Sequence, residues 1–351
     1  MIPASAYAAQ SAKSPLTPFQ FERRDVQPHD VQIEVLFCGV CHSDLHQARN
    51  EWHNSHYPMV PGHEIIGRVT AVGAHVSKFK VGDLAGVGCM VDSCQHCPAC
   101  ADGLEQYCAN GASYTYNSTE QNSKEATQGG YSSVMVVREE FVVKVSDALD
   151  LASAAPLLCA GITMYSPLRH WRVEAGQEVG IIGLGGLGHI GVKLAKAMGA
   201  RVTVFTTSAS KAADAHTLGA DAVILSTDAA AMKAAKSTFH LLLDTVPRTH
   251  DLNLYLPLVK LDGALVIVGA LEPLEPGIHG GTLIGQRRTV AGSGIGGIAE
   301  TQEMFDFCAQ HGIGCDVEVI AMDTINAAYE RLLKNDVKYR FVIDMATLVK
   351  G

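Results

Sequence analysis

The sequence lacks the features that mark nucleic-acid-binding, membrane-spanning and secreted proteins. It has no excess of positive charge, because 27 Lys and Arg stand against 36 Asp and Glu, for a formal net charge of −9. A basic surface for a nucleic-acid backbone or an anionic membrane is therefore not expected. No uncharged apolar run reaches the ~18 residues of a membrane helix. The opening residues, MIPASAYAAQSAKSP, show neither the charged nor the apolar region of a signal peptide. We expect a cytoplasmic protein with no nucleic-acid and no membrane partner.

What is present is a chain large enough for two cores and rich in thiols. It has 351 residues, of which 47% are hydrophobic, and a length of this kind corresponds to about two domains. It also has ten cysteines. In a short secreted chain they would predict disulfides, but in a longer chain of cytosolic character they predict metal or redox chemistry.

The pattern of apolar residues changes near residue 150. Before it, short alternating runs at residues 31–37, 65–72 and 131–137 predict strands in a β-rich part. After it, residues 151–171 have a helical pattern, and short apolar strands then alternate with helices of about ten residues, one of them at 250–259. That alternation predicts a parallel, doubly wound sheet.

A glycine-rich turn at residues 183–188 (GLGGLG) fits G-x-G-x-x-G between a predicted strand and a predicted helix, the context of a dinucleotide site. The first glycine permits the tight turn, the second lets the backbone approach a diphosphate, and the third lets helix and strand pack closely. The predicted contacts are Gly183, Gly185, Gly186, Leu187 and Gly188. The alternative is a tight strand–helix turn that binds no ligand.

The following strand decides between the nicotinamide cofactors. It ends VFTTSASK at residues 204–211, without the acid that would bind the ribose 2′-hydroxyl of NAD. Thr206, Thr207, Ser208 and Lys211 instead suit a 2′-phosphate, so the sequence predicts NADP(H). These residues could also cap the next helix, with Ser208 or Ser210 as the N-cap, and both interpretations can hold together.

Four cysteines lie close together as C-x2-C-x2-C-x7-C: Cys94, Cys97, Cys100 and Cys108. Four thiolates in one loop can surround a zinc ion tetrahedrally and leave no open position, which predicts a structural site. An iron–sulfur cluster is the rival, although the seven-residue gap and the absence of a second cysteine set disfavour it. A disulfide pair is improbable in a reducing compartment.

Three further candidates are scattered along the chain. Cys41 lies in CGVCHSD, His63 in VPGHE and Cys159 in APLLCAG. Spacing alone does not unite them, and a packed buried thiol is the alternative for Cys159.

Long motifs in one order carry a family resemblance: FCGVCHSDLH, YPMVPGHEIIGRV, CQHCPACADGLEQYC, LLCAGITMYSPL, GLGGLGH and GSGIGGIAETQEM. From about residue 20 to the end, the chain resembles the zinc-dependent medium-chain alcohol dehydrogenases, and within them the cinnamyl-alcohol-dehydrogenase-like, NADP-dependent branch. The resemblance implies an α/β protein with a GroES-like β-rich catalytic domain at residues 1–150 and 292–351, which holds both zinc sites. Residues 151–291 would form a Rossmann cofactor domain with a doubly wound parallel sheet.

The resemblance also implies a reaction, the reversible NADPH-dependent reduction of aromatic and medium-chain aliphatic aldehydes to primary alcohols. Cys41, His63 and Cys159 would hold a catalytic zinc that polarises the carbonyl while nicotinamide C4 delivers hydride. Glu64 is a weaker candidate ligand.

Residues around that zinc are assigned through the same resemblance. Ser43 and His46 would relay the proton, with a surface histidine as the alternative for His46. Asp44 would orient His63. A second zinc would occupy the four-cysteine loop.

Further residues are assigned by the resemblance alone. The expected cofactor contacts beyond the glycine turn are Thr163, Val268, Ala270, Ser293, Ile295 and Arg340, where a solvated charge is the alternative for Arg340. The substrate-pocket candidates are Trp52, Tyr57, Met90 and Tyr114. A homodimer joined through the cofactor domains is expected, with a tetramer as the alternative.

Three other functions remain as alternatives. An NAD-dependent polyol or secondary-alcohol dehydrogenase is disfavoured by the acid-free strand. A zinc-free quinone or enoyl reductase is disfavoured by the Cys–His–Cys set. A non-enzymatic zinc-binding or redox-sensing protein on the same fold is disfavoured by the intact relay residues.

Overall fold

The computed structural model describes residues 1–269 and 272–349. In chain order the strands are β1 (Ile2–Ala8), β2 (Thr17–Arg23), β3 (Asp30–Val40), β4 (Ile65–Val72), β5 (Leu84–Val87), β6 (Met90–Asp92), β7 (Ser113–Tyr114), β8 (Val134–Arg138), β9 (Val143–Lys144), β10 (Glu178–Ile182), β11 (Arg201–Thr206), β12 (Ala222–Leu225), β13 (Phe239–Asp244), β14 (Val259–Ile267), β15 (Thr289–Gly292), β16 (Val317–Ala321) and β17 (Arg340–Asp344).

The α-helices are α1 (His42–Ala48), α2 (Pro98–Ala101), α3 (Leu151–Ala154), α4 (Ala160–His170), α5 (Gly188–Ala197), α6 (Ala212–Thr217), α7 (Ala229–Ala234), α8 (Gly280–Ile284), α9 (Ile298–His311) and α10 (Ile325–Leu333). Short 3₁₀ turns span Glu105–Tyr107, Glu139–Phe141, Ala155–Leu158, Ala209–Lys211, Leu252–Leu254, Leu256–Leu258, Met322–Thr324 and Met345–Thr347.

The chain divides into two compact units, one of Met1–Cys159 with Gly296–Gly351 and one of Ala160–Ile295. The sequence predicted the divisions slightly earlier, after residues 150 and 291. The first division lies later in the chain than predicted because the helical segment that begins at Leu151 packs against β3, β4, β16 and β17 of the first unit. A helix belongs to the unit whose sheet it covers, whatever its place in the apolar pattern.

The first unit is built on a seven-stranded sheet with the order β16-β17-β3-β4-β5-β9, and β8 pairs with β3 off this path. Strands β16 and β17 are parallel, and the other pairs are antiparallel. The predicted strand at 65–72 is β4, the one at 31–37 extends to both sides as β3, and the one at 131–137 begins later, as β8. This unit is therefore β-rich, as the sequence predicted.

The second unit contains a six-stranded sheet with the order β12-β11-β10-β13-β14-β15, in which every pair is parallel. Neighbouring positions across its centre are Val204, Ile181, Leu243 and Val266, and all four are fully buried. A sheet covered on both faces accounts for the short continuous apolar strands of this half. The predicted doubly wound fold is confirmed.

Two helices predicted from sequence are not continuous. The segment 151–171 breaks into α3, a 3₁₀ turn and α4, because Pro156 lacks an amide donor and Cys159 leaves helical geometry, with φ −127° and ψ −68°. The segment 250–259 forms two 3₁₀ turns around Pro257 rather than an α-helix. Within the described residues no single helix is long and apolar enough to cross a membrane, and only the bent pair Leu151–Leu158 with Ala160–His170 reaches that length and composition.

Candidate active site

The first unit brings together four side chains that are scattered in sequence. The ligand atoms of Cys41, His63, Glu64 and Cys159 all lie within 4.8 Å of one another, and all four residues are buried. The Cys41 and Cys159 sulfurs are 4.0 Å apart. Two thiols and an imidazole form a donor set that suits zinc. They leave the fourth position of a tetrahedral site for an oxygen ligand.

Strand pairing produces this cluster. Strand β3 runs antiparallel to β4, with Cys38 opposite Ile65, so the end of β3 lies beside the start of β4. Cys41 follows the first strand and His63 precedes the second, and the sheet therefore places them side by side. The 3₁₀ turn Ala155–Leu158 packs on β3, β4 and β5. Cys159 follows this turn directly, so a third segment of the chain supplies the second thiol.

The two thiols of this cluster titrate together. A hydrogen bond from Cys159 lowers the pKa of Cys41 well below the usual thiol value, and the charge of Arg340 lowers it further against the effect of burial. The same contact, with a second one to Cys89, raises the pKa of Cys159. One thiolate thus forms readily and the second needs a cation beside it, so metal binding here releases protons.

Asp44 ties the two ligand loops together. Its fully buried carboxylate accepts hydrogen bonds from His63 Nδ1 at 2.9 Å, from the Gly62 amide at 3.0 Å and from the Cys41 amide at 2.9 Å. Because Nδ1 is the donor in this contact, Nε2 of His63 is left for the metal. The structure thus places Asp44 where the resemblance put it.

Glu64 and Arg340 form an ion pair in which both side chains are buried. The alternative of a solvated charge for Arg340 is therefore wrong, while its contact to a cofactor phosphate stays a prediction. Gly39 makes room for the pair, since a Cβ there would collide with the Glu64 carboxylate. The second carboxylate oxygen of Glu64 has no hydrogen-bond partner among the described residues, although it is buried beside the thiol cluster. An unpaired buried oxygen at this position fits a cation site.

The predicted relay residues share one helix. The Cys41 thiol lies 3.7 Å from the Ser43 hydroxyl, and His46 is one turn further along α1. His46 Nδ1 in turn contacts Glu51 Oε2 at 2.5 Å, and both side chains are partly exposed. Sequence reasoning missed Glu51. Its position five residues after His46, just past the helix end, is the only signal that could have suggested it.

The four-cysteine loop is folded as a second cluster. The sulfurs of Cys94, Cys97, Cys100 and Cys108 lie within 4.8 Å of one another, and all four thiols are free. The Ala109 amide donates to Cys97 and lowers the pKa of that thiol to about 6, whereas burial raises the pKa of Cys100 to about 12. Backbone donors aimed at sulfur stabilise thiolates, which is the form that a structural zinc requires.

In the second unit the glycine turn has the geometry that its motif predicts. Gly183 follows β10 with φ +93°, which only glycine adopts readily. A Cβ on Gly188 would collide with the Gly183 carbonyl, while a Cβ on Gly185 would meet nothing within 4 Å. The backbone at Gly185 is therefore open to a ligand, and α5 begins three residues later, at Gly188.

The end of β11 lies beside this turn. Lys211 Nζ donates to the Leu184 carbonyl at 2.8 Å, which places the ammonium group on the glycine turn itself. Thr206 is buried and Thr207 exposed, and no carboxylate follows the strand before residue 212. Ser208 occupies the N-cap position of the 3₁₀ turn but makes no capping hydrogen bond, so the capping alternative is wrong for Ser208.

The other predicted cofactor contacts lie in the second unit or outside the described part. Thr163 is buried on α4, and Val268 and Ser293 follow the ends of β14 and β15. Ile295 has a positive φ of 40°, which is strained for a β-branched residue. Ala270 lies outside the described residues.

The substrate-pocket candidates differ in exposure. The Trp52 ring lies 5.9 Å from that of His46, and the Tyr57 hydroxyl donates to the Ala48 carbonyl. Met90 pairs across the strands with Tyr114, which is exposed, but Met90 itself is only 2% exposed. The role of all four residues in a substrate pocket stays a prediction.

Two family models match the chain. Residues 27–147 match the alcohol dehydrogenase GroES-like domain, and residues 186–310 match the zinc-binding dehydrogenase domain. The chain belongs to the zinc-binding alcohol dehydrogenases. This family membership confirms the fold class and the enzyme class that the motifs indicated.

Similar proteins cover the whole length of this alcohol dehydrogenase family member. Aldehyde reductase YahK of Escherichia coli is 54% identical, over 98% of both chains. NADP-dependent alcohol dehydrogenase C 1 of Mycolicibacterium smegmatis is also 54% identical, again over 98% of both chains. The structure of a cinnamyl alcohol dehydrogenase from Sorghum bicolor superposes with a TM-score of 0.95 at 47% identity, covering 99% of this chain and 100% of that one.

Proposed function

We propose that this dehydrogenase catalyses the reversible NADPH-dependent reduction of aldehydes, both aromatic and medium-chain aliphatic, to primary alcohols. The observation that carries the proposal is the buried cluster of Cys41, His63 and Cys159 with the Ser43 hydroxyl beside it. Two thiolates and a neutral imidazole balance the zinc charge and leave a position for a substrate oxygen. The names of the aldehyde reductase and the NADP-dependent dehydrogenase above support the same reaction.

The residues of the chain would handle the proton. When bound, zinc polarises a carbonyl oxygen and the reduced nicotinamide supplies hydride. The Ser43 hydroxyl would donate to the alkoxide oxygen, and His46, one turn further along α1, would pass the proton outward. Glu51 Oε2, at 2.5 Å from His46 Nδ1, would accept a hydrogen bond from the imidazole at the exposed end of the relay.

The second unit would hold NADP(H) at the carboxyl ends of its strands. The amides from Gly183 to Gly188 receive the diphosphate, and Lys211 with the hydroxyls of Thr206, Thr207 and Ser208 receives the 2′-phosphate. We propose that Thr163, Val268, Ser293 and Ile295 lie toward the nicotinamide, as the resemblance implies, and that Arg340 contacts a cofactor phosphate.

The direct test is a panel of aldehydes, including benzaldehyde and cinnamaldehyde, assayed with NADPH and with NADH while zinc is quantified on the same sample. We expect two zinc ions per chain, one for each cluster, and a higher kcat/KM with NADPH. A clear preference for NADH would favour a polyol or secondary-alcohol dehydrogenase instead. No turnover of any simple aldehyde, with fewer than two zinc ions, would refute the proposal.

A matched pair of variants separates an enzyme from a zinc-binding or redox-sensing protein. Cys159→Ala should leave the fold intact, reduce the zinc content from two ions to one and abolish aldehyde reduction. Cys308→Ala removes a thiol that is also buried but belongs to neither cluster, and should retain both ions and the activity. If both variants kept full activity, the cluster would not be catalytic.

We also propose a homodimer in the cytoplasm. Strand β15 is one of the two outer strands of the parallel sheet and, among the described residues, pairs only with β14, so its other edge can pair with a second copy. In the same unit Ile284 is 82% exposed, which favours burial at an interface. The six ligand thiols need a reducing compartment to stay available to metal. Light scattering of the purified chain would show a dimer, and a monomer or tetramer would correct this assignment.

A further inference from the structure

Tyr131 lies behind the candidate zinc site, in contact with Asp44. Its side chain is fully buried, and its hydroxyl donates to Asp44 Oδ2 at 3.3 Å. Asp44 is also fully buried. A carboxylate buried to this degree is costly unless its oxygens are satisfied by donors.

Four of the donors around Asp44 divide evenly between its two oxygens. Oδ1 accepts from His63 Nδ1 and from the Gly62 amide, and Oδ2 accepts from the Cys41 amide and from Tyr131. The Tyr116 side chain also hydrogen-bonds to Asp44, so the buried carboxylate, which offers about four lone-pair sites, is surrounded by donors. The Tyr131 hydroxyl thus helps to fix which oxygen remains for His63.

The backbone fastens Tyr131 to the segment that carries the histidine. The Tyr131 amide donates to the Pro61 carbonyl at 2.9 Å, and the Gly130 amide donates to the Gly62 carbonyl at 2.9 Å. Gly62 has φ +104°, and a Cβ there would lie 2.7 Å from Tyr131 Cδ1. The ring therefore packs directly on the residue that precedes His63.

We propose that Tyr131 is a positioning residue for the catalytic metal, because its hydroxyl holds Asp44 in the orientation that aims His63 Nε2 at the ion. The inference rests on the proposed function, since it assumes a metal at Cys41, His63 and Cys159. Tyr131 acts through Asp44 and touches neither the metal nor the substrate. Without the hydroxyl, Oδ2 loses one of its donors while the Cys41 amide remains, so the carboxylate is held less firmly and the imidazole is less well oriented.

The test is Tyr131→Phe, which keeps the ring on Gly62 and removes only the oxygen. The readouts are competition with a chelator for each zinc and the visible absorption band of the enzyme with Co²⁺ in the catalytic site. Direct partners of metal-ligating histidines change metal affinity by roughly 10–100-fold. For this more remote contact we expect about 3–10-fold faster loss of the catalytic zinc, with a shifted cobalt band, and unchanged retention in the four-cysteine loop.

Two comparisons make the result specific. Tyr255→Phe removes a phenol buried in the second unit, where its ring meets Phe205, and should change neither readout. In an Asp44→Asn background, Tyr131→Phe should have little further effect on zinc affinity, because the two residues act through one contact.

Each possible result of these measurements either supports the role of Tyr131 or contradicts it. Wild-type cobalt absorption and zinc affinity in Tyr131→Phe would overturn the proposal, and so would a chain that fails to fold, because the effect should be confined to the metal site. Additive effects of the two substitutions would also contradict it. If the wild type reduced no aldehyde but Tyr131→Phe still weakened the catalytic zinc, the proposed function would fail while this inference stood.

Discussion

Glu64 and Arg340 are 276 residues apart in sequence and form a buried ion pair beside the Cys–His–Cys cluster. Arg340 begins β17, and β17 pairs with the end of β3, where Phe341 lies opposite Val40. The pairing carries the guanidinium to the strand that leads into Cys41. The guanidinium therefore supplies positive charge next to the thiol cluster and balances the negative charge of Glu64.

Breaking this pair should be far more costly than breaking an exposed one. Arg340→Ala would leave the Glu64 carboxylate buried and uncompensated, which costs roughly 3–5 kcal/mol of the free energy of unfolding. Arg49→Ala removes the exposed pair with Glu330 and should cost about 0–1 kcal/mol. Urea unfolding of the zinc-loaded proteins measures both, and similar midpoints for the two variants would contradict the assignment.

Loss of zinc from the four-cysteine loop should also destabilise the start of α9. In Cys97→Ala we expect a lower melting temperature, by about 5 °C or more, because metal binding stabilises the folded loop. Glu105 of this loop accepts from the Ile298 amide at 3.0 Å, so amide hydrogen exchange should quicken at the start of α9 as well as in the loop.

Cys315→Ala is the control for that prediction, since Cys315 is buried in the same unit and belongs to neither cluster. It should retain the zinc and slow exchange in the four-cysteine loop. Unchanged exchange at Ile298 in Cys97→Ala would show that the loop and the helix are independent.

An acid after β11 should reverse the cofactor preference. Thr207→Asp places a carboxylate where the 2′-phosphate is expected, and the repulsion should lower kcat/KM for NADPH by roughly 10-fold or more, with NADH less affected. Thr207→Asn has the same shape without the charge and should shift the preference little. Steady-state kinetics with both cofactors measure the ratio, and an unchanged NADPH/NADH ratio in the aspartate variant would place the 2′-phosphate elsewhere.

The contact between His46 and Glu51 should matter for proton release to solvent. Glu51→Gln keeps a hydrogen-bond acceptor but removes the charge beside the imidazole, and we expect kcat to fall by about 3–10-fold, less than the roughly 10²–10⁴-fold of a group that itself transfers the proton. The solvent deuterium isotope effect on kcat should rise with it. Glu22→Gln, at an exposed acid on β2, should alter neither quantity. If Glu51→Gln kept the wild-type kcat, Glu51 would have no part in the relay, and His46 would be its last residue.

Local patterns predicted those parts of the protein that form within a few consecutive residues. The turn from Gly183 to Gly188 and the loop from Cys94 to Cys108 each place their functional groups through short-range geometry. Their predicted structures therefore appear with little change. The segment 151–171 is helical as predicted but broken into three pieces, because the apolar period does not register that Pro156 interrupts the amide ladder.

The sequence by itself determined the two domain types, the acid-free cofactor strand and the four-cysteine loop, because each depends on a periodicity or a spacing. For Cys41, His63 and Cys159 it supplied a resemblance but no spacing argument. Only the tertiary structure decided that these residues meet, that Arg340 is buried on Glu64, and that Glu51 contacts His46 and Tyr131 contacts Asp44. The physical reason is that strand register and packing, rather than distance along the chain, set which side chains share a buried volume.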